Sequence, residues 1–119
     1  MIINRYSETP SFTTKDGSLI KELMHPDSHQ NKKQSLAEAR VPPGVTTALH
    51  KHPVTEELYY ILSGQGDMTV GDSIQEVKTG DIICITPGSP HQIKNTGRCD
   101  LIFLCCCTPA YSDQDTVLL

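Results

Sequence analysis

Apolar and β-prone residues come in short runs along this chain, and no stretch of a dozen residues repeats with the helical period of 3.6. The runs are "SLIKEL", "SLAEARV", "EELYYIL", "DMTV", "SIQEV", "DIICI", "HQIKN" and "LIFLCCC". Between them stand "KDG", "PPG", "SGQG", "VGDS", "KTGD", "TPGSP" and "NTG", each rich in residues that turn the backbone. Many short strands with Gly and Pro punctuation predict an all-β sandwich or barrel. "SHQNKKQ" (28–34) is the most polar stretch and is expected to be a surface loop. No internal repeat and no linker divides the chain, so its 119 residues predict a single domain. A domain of this size buries roughly two-thirds of the surface its unfolded chain exposes.

Charge narrows the function classes. A formal charge of −4 argues against a nucleic-acid partner, which would call for a basic stripe. The opening "MIINRYSETPSFTTKDGSLI" has neither a basic region nor an apolar one of the kind a secretion signal needs. The longest apolar run, "LIFLCCC", is too short to span a bilayer, so no membrane partner is expected and the chain reads as cytoplasmic. Five cysteines, Cys84, Cys99, Cys105, Cys106 and Cys107, form neither a paired disulfide framework nor a zinc spacing. Three of them close an apolar run, where Cys serves as a small buried residue.

Candidate chemistry sits in "HKHPVTEELYYILSG" (50–64). Side chains in a strand alternate faces, so His50 and His52 share one face and Lys51 takes the other. Pro53 biases His52 towards extended backbone. Two imidazoles on one face form half of a metal site, and a carboxylate a few residues on supplies an oxygen ligand. Glu56 and Glu57 lead into an interior-looking strand, and a buried carboxylate needs a partner. Pattern alone leaves the choice between them open. Another histidine, His91, follows a Gly/Pro turn at the start of "HQIKN".

These residues carry a family resemblance. Gly44, five residues, His50-x-His52, four residues, Glu57, six residues and Gly64 resemble the first motif of the cupin superfamily. Gly80 through Gly88, His91 and Asn95 resemble the second, with fifteen residues separating the two motifs. Thr86 stands where the second motif usually has proline, a turn position that donates no ligand. The resemblance implies an antiparallel jelly-roll β-barrel in which His50, His52, Glu57 and His91 hold one divalent transition metal per chain: Fe, Mn, Ni, Co or Zn. It favours Glu57 over Glu56 through the six-residue gap to Gly64. Parity then turns Tyr59 and Ile61 to the same face as Glu57, making them pocket-wall candidates, with Tyr60 opposite and Asn95 supporting a turn.

The resemblance also implies a small-molecule ligand in the barrel. Three nitrogens and one oxygen leave open positions on an octahedral ion, where oxygen ligands bind. Glu57 and Tyr59 are the candidate catalytic residues. The leading expectation is dioxygenase-type chemistry on a small oxygenated molecule; isomerase, lyase or non-catalytic binding functions are the alternatives. Small cupins commonly pair through N-terminal strands, which predicts a homodimer with contacts from residues 1–24. The chain then divides into N-terminal strands and loop at 1–34, barrel core at 35–110 and a tail at 111–119 packing on the barrel. His25 and His29 are expected in a solvated loop. Arg40, sharing a strand face with Glu38, is read as a surface ion pair, with holding an anionic ligand as the alternative, and Tyr111 and Asp113 are candidates for closing the pocket.

Overall fold

A computed structural model describes all 119 residues. The chain folds into eleven strands: β1 (Ser11–Thr13), β2 (Leu19–Met24), β3 (Ser35–Val41), β4 (His50–Lys51), β5 (Glu56–Ser63), β6 (Gln65–Val70), β7 (Ser73–Lys78), β8 (Ile82–Ile85), β9 (His91–Asn95), β10 (Leu101–Thr108) and β11 (Val117–Leu118). Two three-residue 3-10 turns, Tyr6–Glu8 and Asp113–Asp115, are its helical content. No helix is long and apolar enough to cross a membrane.

All eight predicted β-prone runs become strands. Three further short strands lie outside those runs: β4, in the histidine stretch already read as extended, and the terminal-side pair β1 and β11. The terminal-side pair depends on partners rather than on its own pattern: β1 pairs with β2, and β11 pairs with β4. Every strand pairing is antiparallel. One sheet has the order β1-β2-β3-β10-β5-β8 and the other β11-β4-β9-β6-β7. The two close over a shared apolar core that includes Ala39, Val41, Tyr59, Ile61, Leu101 and Phe103 from the first and Met68, Val77 and Ile93 from the second. Burying side chains of this size stabilises the fold by about 1.5–3 kcal/mol each.

Period-two alternation decides which side of each sheet a residue serves. In β10 it sends Leu101, Phe103, Cys105 and Cys107 inward and leaves Ile102, Leu104 and Cys106 only partly covered. The cysteine run is therefore a strand interior. In β3 the same rule turns Ala39 and Val41 inward and puts Arg40 on the outer face. There Arg40 pairs with Asp100 at 3.2 Å and approaches Glu38 at 3.8 Å. It does not line the barrel chamber, so the ion-pair reading holds and the alternative that it grips a ligand is set aside.

Two glycines are required by geometry. Gly64 joins β5 to β6 through a single residue at φ 93°, in the left-handed region that glycine adopts without strain. Gly66 packs so closely on the Lys94 carbonyl of β9 that a Cβ there would collide with backbone. Nearby, Asn95 is wholly buried and ties loops together, donating from Nδ2 to the carbonyls of Val41 and Cys99 and accepting from the Gly97 N–H, each at 2.8 Å.

His25 is also placed differently from expectation. It ends the β2 region with 4% of its surface exposed, not in a solvated loop. Its Nδ1 accepts the Asp27 N–H at 3.0 Å, so Nε2 carries the proton and donates to the Tyr111 carbonyl at 2.7 Å. The ring is buried because it joins two distant backbone segments, a role local polarity does not reveal.

Candidate metal centre

The barrel's closed side chains converge at one end of the core. Strand β4 places His50 directly opposite His91 of β9, so two imidazoles from different strands share one ladder position. His52 follows on the same face as His50. Glu57, near the start of β5, turns inward, while Glu56 faces solvent. The three histidines offer nitrogens that all lie within 4.8 Å of one another. Glu57 Oε1 lies 3.4 Å from His52 Nε2 and 3.3 Å from His91 Nε2. All four residues are buried, none more than 4% exposed.

Backbone carbonyls set the direction of each ring. Nδ1 of His50 donates to the Ala48 carbonyl at 2.8 Å, that of His52 to Asp115 at 3.1 Å and that of His91 to Ser89 at 3.0 Å. A carbonyl only accepts, so Nδ1 carries the hydrogen in all three rings and Nε2 is left to face the common centre. Three such nitrogens and a carboxylate oxygen converge on one point without a hydrogen to share. Glu57 Oε1 and His91 Nε2 are buried with no hydrogen-bond partner at all. Positive charge between these atoms must come from second protons on the rings or from a cation.

Electrostatics agree. Burial alone would raise the Glu57 carboxyl, but His52 and His91 outweigh it and hold the group at about 2. Burial also depresses His50, helped by the neighbouring His91, which favours its neutral, electron-donating form. At His52 burial again acts downward, and the Glu57 carboxylate more than reverses it.

Some supporting residues were not legible in the sequence. Cys107 stands opposite Glu57 in the β5–β10 register, and its thiol donates to Glu57 Oε2 at 3.2 Å, leaving Oε1 for the centre. Thr116 reaches His52 Nδ1 at 3.2 Å from the tail, and the Asp115 carboxylate accepts the N–H groups of Val54 and Thr55 that follow the His52 turn. Asp16 Oδ2 lies 4.0 Å from His50 Nε2. Only a period-two reading of β10 carried any hint, in that it groups Cys105 and Cys107; nothing local marks Asp16 or Thr116.

Above the centre is a chamber of about 50 Å³. Since a water takes roughly 10–15 Å³ by the same measure, it admits a molecule a few water-sized groups across. Tyr59, Phe103, Cys105 and Ala39 form part of its apolar wall, and Tyr111 covers it from the tail. Ile61 lies deeper in the core and Asp113 does not reach the chamber; Asp113 instead accepts from the Tyr111 hydroxyl at 3.1 Å. Burial raises the Tyr59 phenol well above its ordinary value, so it stays protonated.

A family model described as a cupin domain matches residues 37–107. The chain belongs to the cupin family. An uncharacterized protein of Methanocaldococcus jannaschii is 50% identical over 119 residues, spanning 100% of this chain and 95% of that one. A Thermotoga maritima protein named as oxalate-binding is 41% identical over 86 residues, 72% of this chain and 67% of its own. Among solved structures, a predicted oxalate decarboxylase of Thermotoga maritima superposes with a TM-score of 0.76 at 31% identity, over 92% of this cupin and 99% of that chain. Oxalate decarboxylase from Bacillus subtilis superposes with a TM-score of 0.84 at 22% identity, covering 100% of this cupin but 33% of that chain; this likeness concerns the fold.

Proposed function

We propose that His50, His52, Glu57 and His91 hold one divalent transition-metal ion, and that the chamber above it binds a small oxygenated organic molecule. The observation that carries this reading is the pair of buried, unpartnered atoms Glu57 Oε1 and His91 Nε2, 3.3 Å apart. Leaving such groups unpaired in a core costs several kcal/mol, and a shared cation removes the cost. Three imidazole nitrogens and one carboxylate oxygen suit Mn(II), Fe(II), Co(II), Ni(II) or Zn(II). A bound ion of this kind supplies Lewis acidity towards oxygen donors.

The chain's own residues divide the remaining work. Glu57, held at about 2, is a poor base at neutral pH and is assigned to the ion. Tyr59 lines the chamber and keeps its proton, which makes its hydroxyl a hydrogen-bond donor for a ligand there. The Thermotoga maritima relatives named for oxalate favour binding or lyase-type chemistry over the dioxygenase chemistry implied by resemblance alone. Elemental analysis of untagged protein, followed by oxygen-uptake and decarboxylation assays on small acids, tests this. One equivalent of a transition metal per chain and no oxygen consumption is the expected result. A protein without metal overturns the site, and substrate-dependent oxygen uptake restores the dioxygenase.

A cytoplasmic location belongs to the same proposal, supported by five free thiols, which suit a reducing compartment. So does a homodimer through residues 1–24. Strand β1 is an open edge of the larger sheet, and Ile2, Ile3 and Phe12 are exposed near it. Light scattering at micromolar concentration should give twice the 13.1 kDa chain mass, and a 13.1 kDa particle contradicts the dimer.

A further inference from the structure

Asp16 stands in the turn between β1 and β2 and contributes a second carboxylate to the chamber. Its Oδ1 is saturated, accepting from Thr14 Oγ1 at 2.7 Å, the Ser18 N–H at 2.9 Å and Ser18 Oγ at 2.6 Å. Its main-chain carbonyl accepts the Ala48 N–H at 2.8 Å, which fastens the turn to the segment leading into His50. These bonds fix the carboxylate and leave Oδ2 free, 4.0 Å from His50 Nε2 on the ligand side, with only 13% of the side chain exposed. Of the 18 residues lining the chamber, none is lysine or arginine, whereas Asp16, Glu22 and Glu57 are acidic. A dianion entering here meets no protein cation.

Resting on the metal-site reading above, we propose that Asp16 makes this chamber select small α-hydroxycarbonyl chelators of charge −1 or 0 and disfavour dicarboxylates such as oxalate. A divalent ion with Glu57 and Asp16 beside it sums to zero charge, and Glu22, the third acidic residue of the lining, tips the chamber negative. A neutral or singly charged chelator leaves the buried site close to that balance. A dianion brings two uncompensated charges beside Asp16 in a poorly solvated space, and repulsion at this range changes affinity by about tenfold or more. Oδ2 is acceptor-only, so it rewards a ligand hydroxyl that donates to it, which oxalate lacks. The relatives named for oxalate and this cupin then share a site and differ in the charge they accept.

The test is calorimetric titration of the metal-loaded full-length protein with glycolate and oxalate, before and after Asp16→Asn. The substitution is expected to strengthen oxalate by about tenfold or more and to change glycolate by less than about threefold. An affinity ratio that stays within roughly twofold of the original overturns the proposal. Should Asp16→Asn fail to fold, the unaltered protein decides the matter with oxamate, the singly charged isostere of oxalate. Its affinity relative to oxalate should exceed the ratio shown by the free ion in water, and an equal ratio overturns the proposal. Protein that takes up no metal overturns both this inference and the site beneath it; metal-loaded protein with an unmoved ratio overturns this inference alone.

Discussion

Adding a divalent transition metal to the metal-free protein is expected to raise its melting temperature by on the order of 10 °C. The unfolded chain cannot assemble His50, His52, Glu57 and His91, so the ion binds the folded state alone. At free metal a hundred times the dissociation constant, mass action stabilises that state by about 2.7 kcal/mol. Each kcal/mol moves the melting temperature of a domain this size by roughly 3–6 °C. Alanine at any of the four positions should abolish most of the shift. Glu56→Ala should retain it, because that side chain faces solvent. His25→Ala should lower the starting melting temperature, since the buried ring ties together two backbone segments far apart in the chain, and still retain the shift. Differential scanning calorimetry with and without metal reads both effects. If His50→Ala and His91→Ala keep the full shift, the centre lies elsewhere.

Asn95→Ala should be strongly destabilising although it lies away from that centre. Its side chain makes three hydrogen bonds, all to backbone, one buried and two partly buried, and its own N–H and carbonyl pair with Val45 and Gly44. Alanine leaves the Val41 and Cys99 carbonyls without a donor and the Gly97 N–H without an acceptor. An orphaned buried group costs about 1–3 kcal/mol and the two partly buried ones cost less, so the total should reach about 2–4 kcal/mol. That corresponds to a fall of roughly 10–20 °C in melting temperature. Asn95 closes β9 at the end opposite His91, four residues or about 13 Å along the strand, so surviving folded protein should still take up metal. A fall of only a degree or two would mean that these loops are held by something other than Asn95.

Much of the architecture is written in local pattern. Gly and Pro breaks separated eight runs that all became strands, because turn chemistry and β-propensity act over a few residues. Parity likewise assigned His50 and His52 to one face and turned Tyr59 inward, since alternation follows from strand geometry alone. It failed where a side chain's surroundings come from elsewhere in the chain. His25 looks solvated among Pro, Asp and Ser, yet the Tyr111 carbonyl, 86 residues away, gives it a buried partner. Arg40 was read as an ion-paired surface residue, but its main partner, Asp100, comes from 60 residues away.

By itself, then, the sequence determined a single all-β domain, the strand positions, the shared face of His50 and His52, and the spacing that marks a cupin. Motif spacing favoured Glu57 over Glu56, and the fold buries it; tertiary structure alone decided that Cys107 sits opposite it and that Asp16 and Thr116 reach the histidines. The physical reason is register. A strand's period is local, but which residue it meets across a ladder or a chamber depends on pairings between segments tens of residues apart. The metal centre's charge balance arises from those pairings: two carboxylates, three rings turned by carbonyls, and no basic side chain in the chamber.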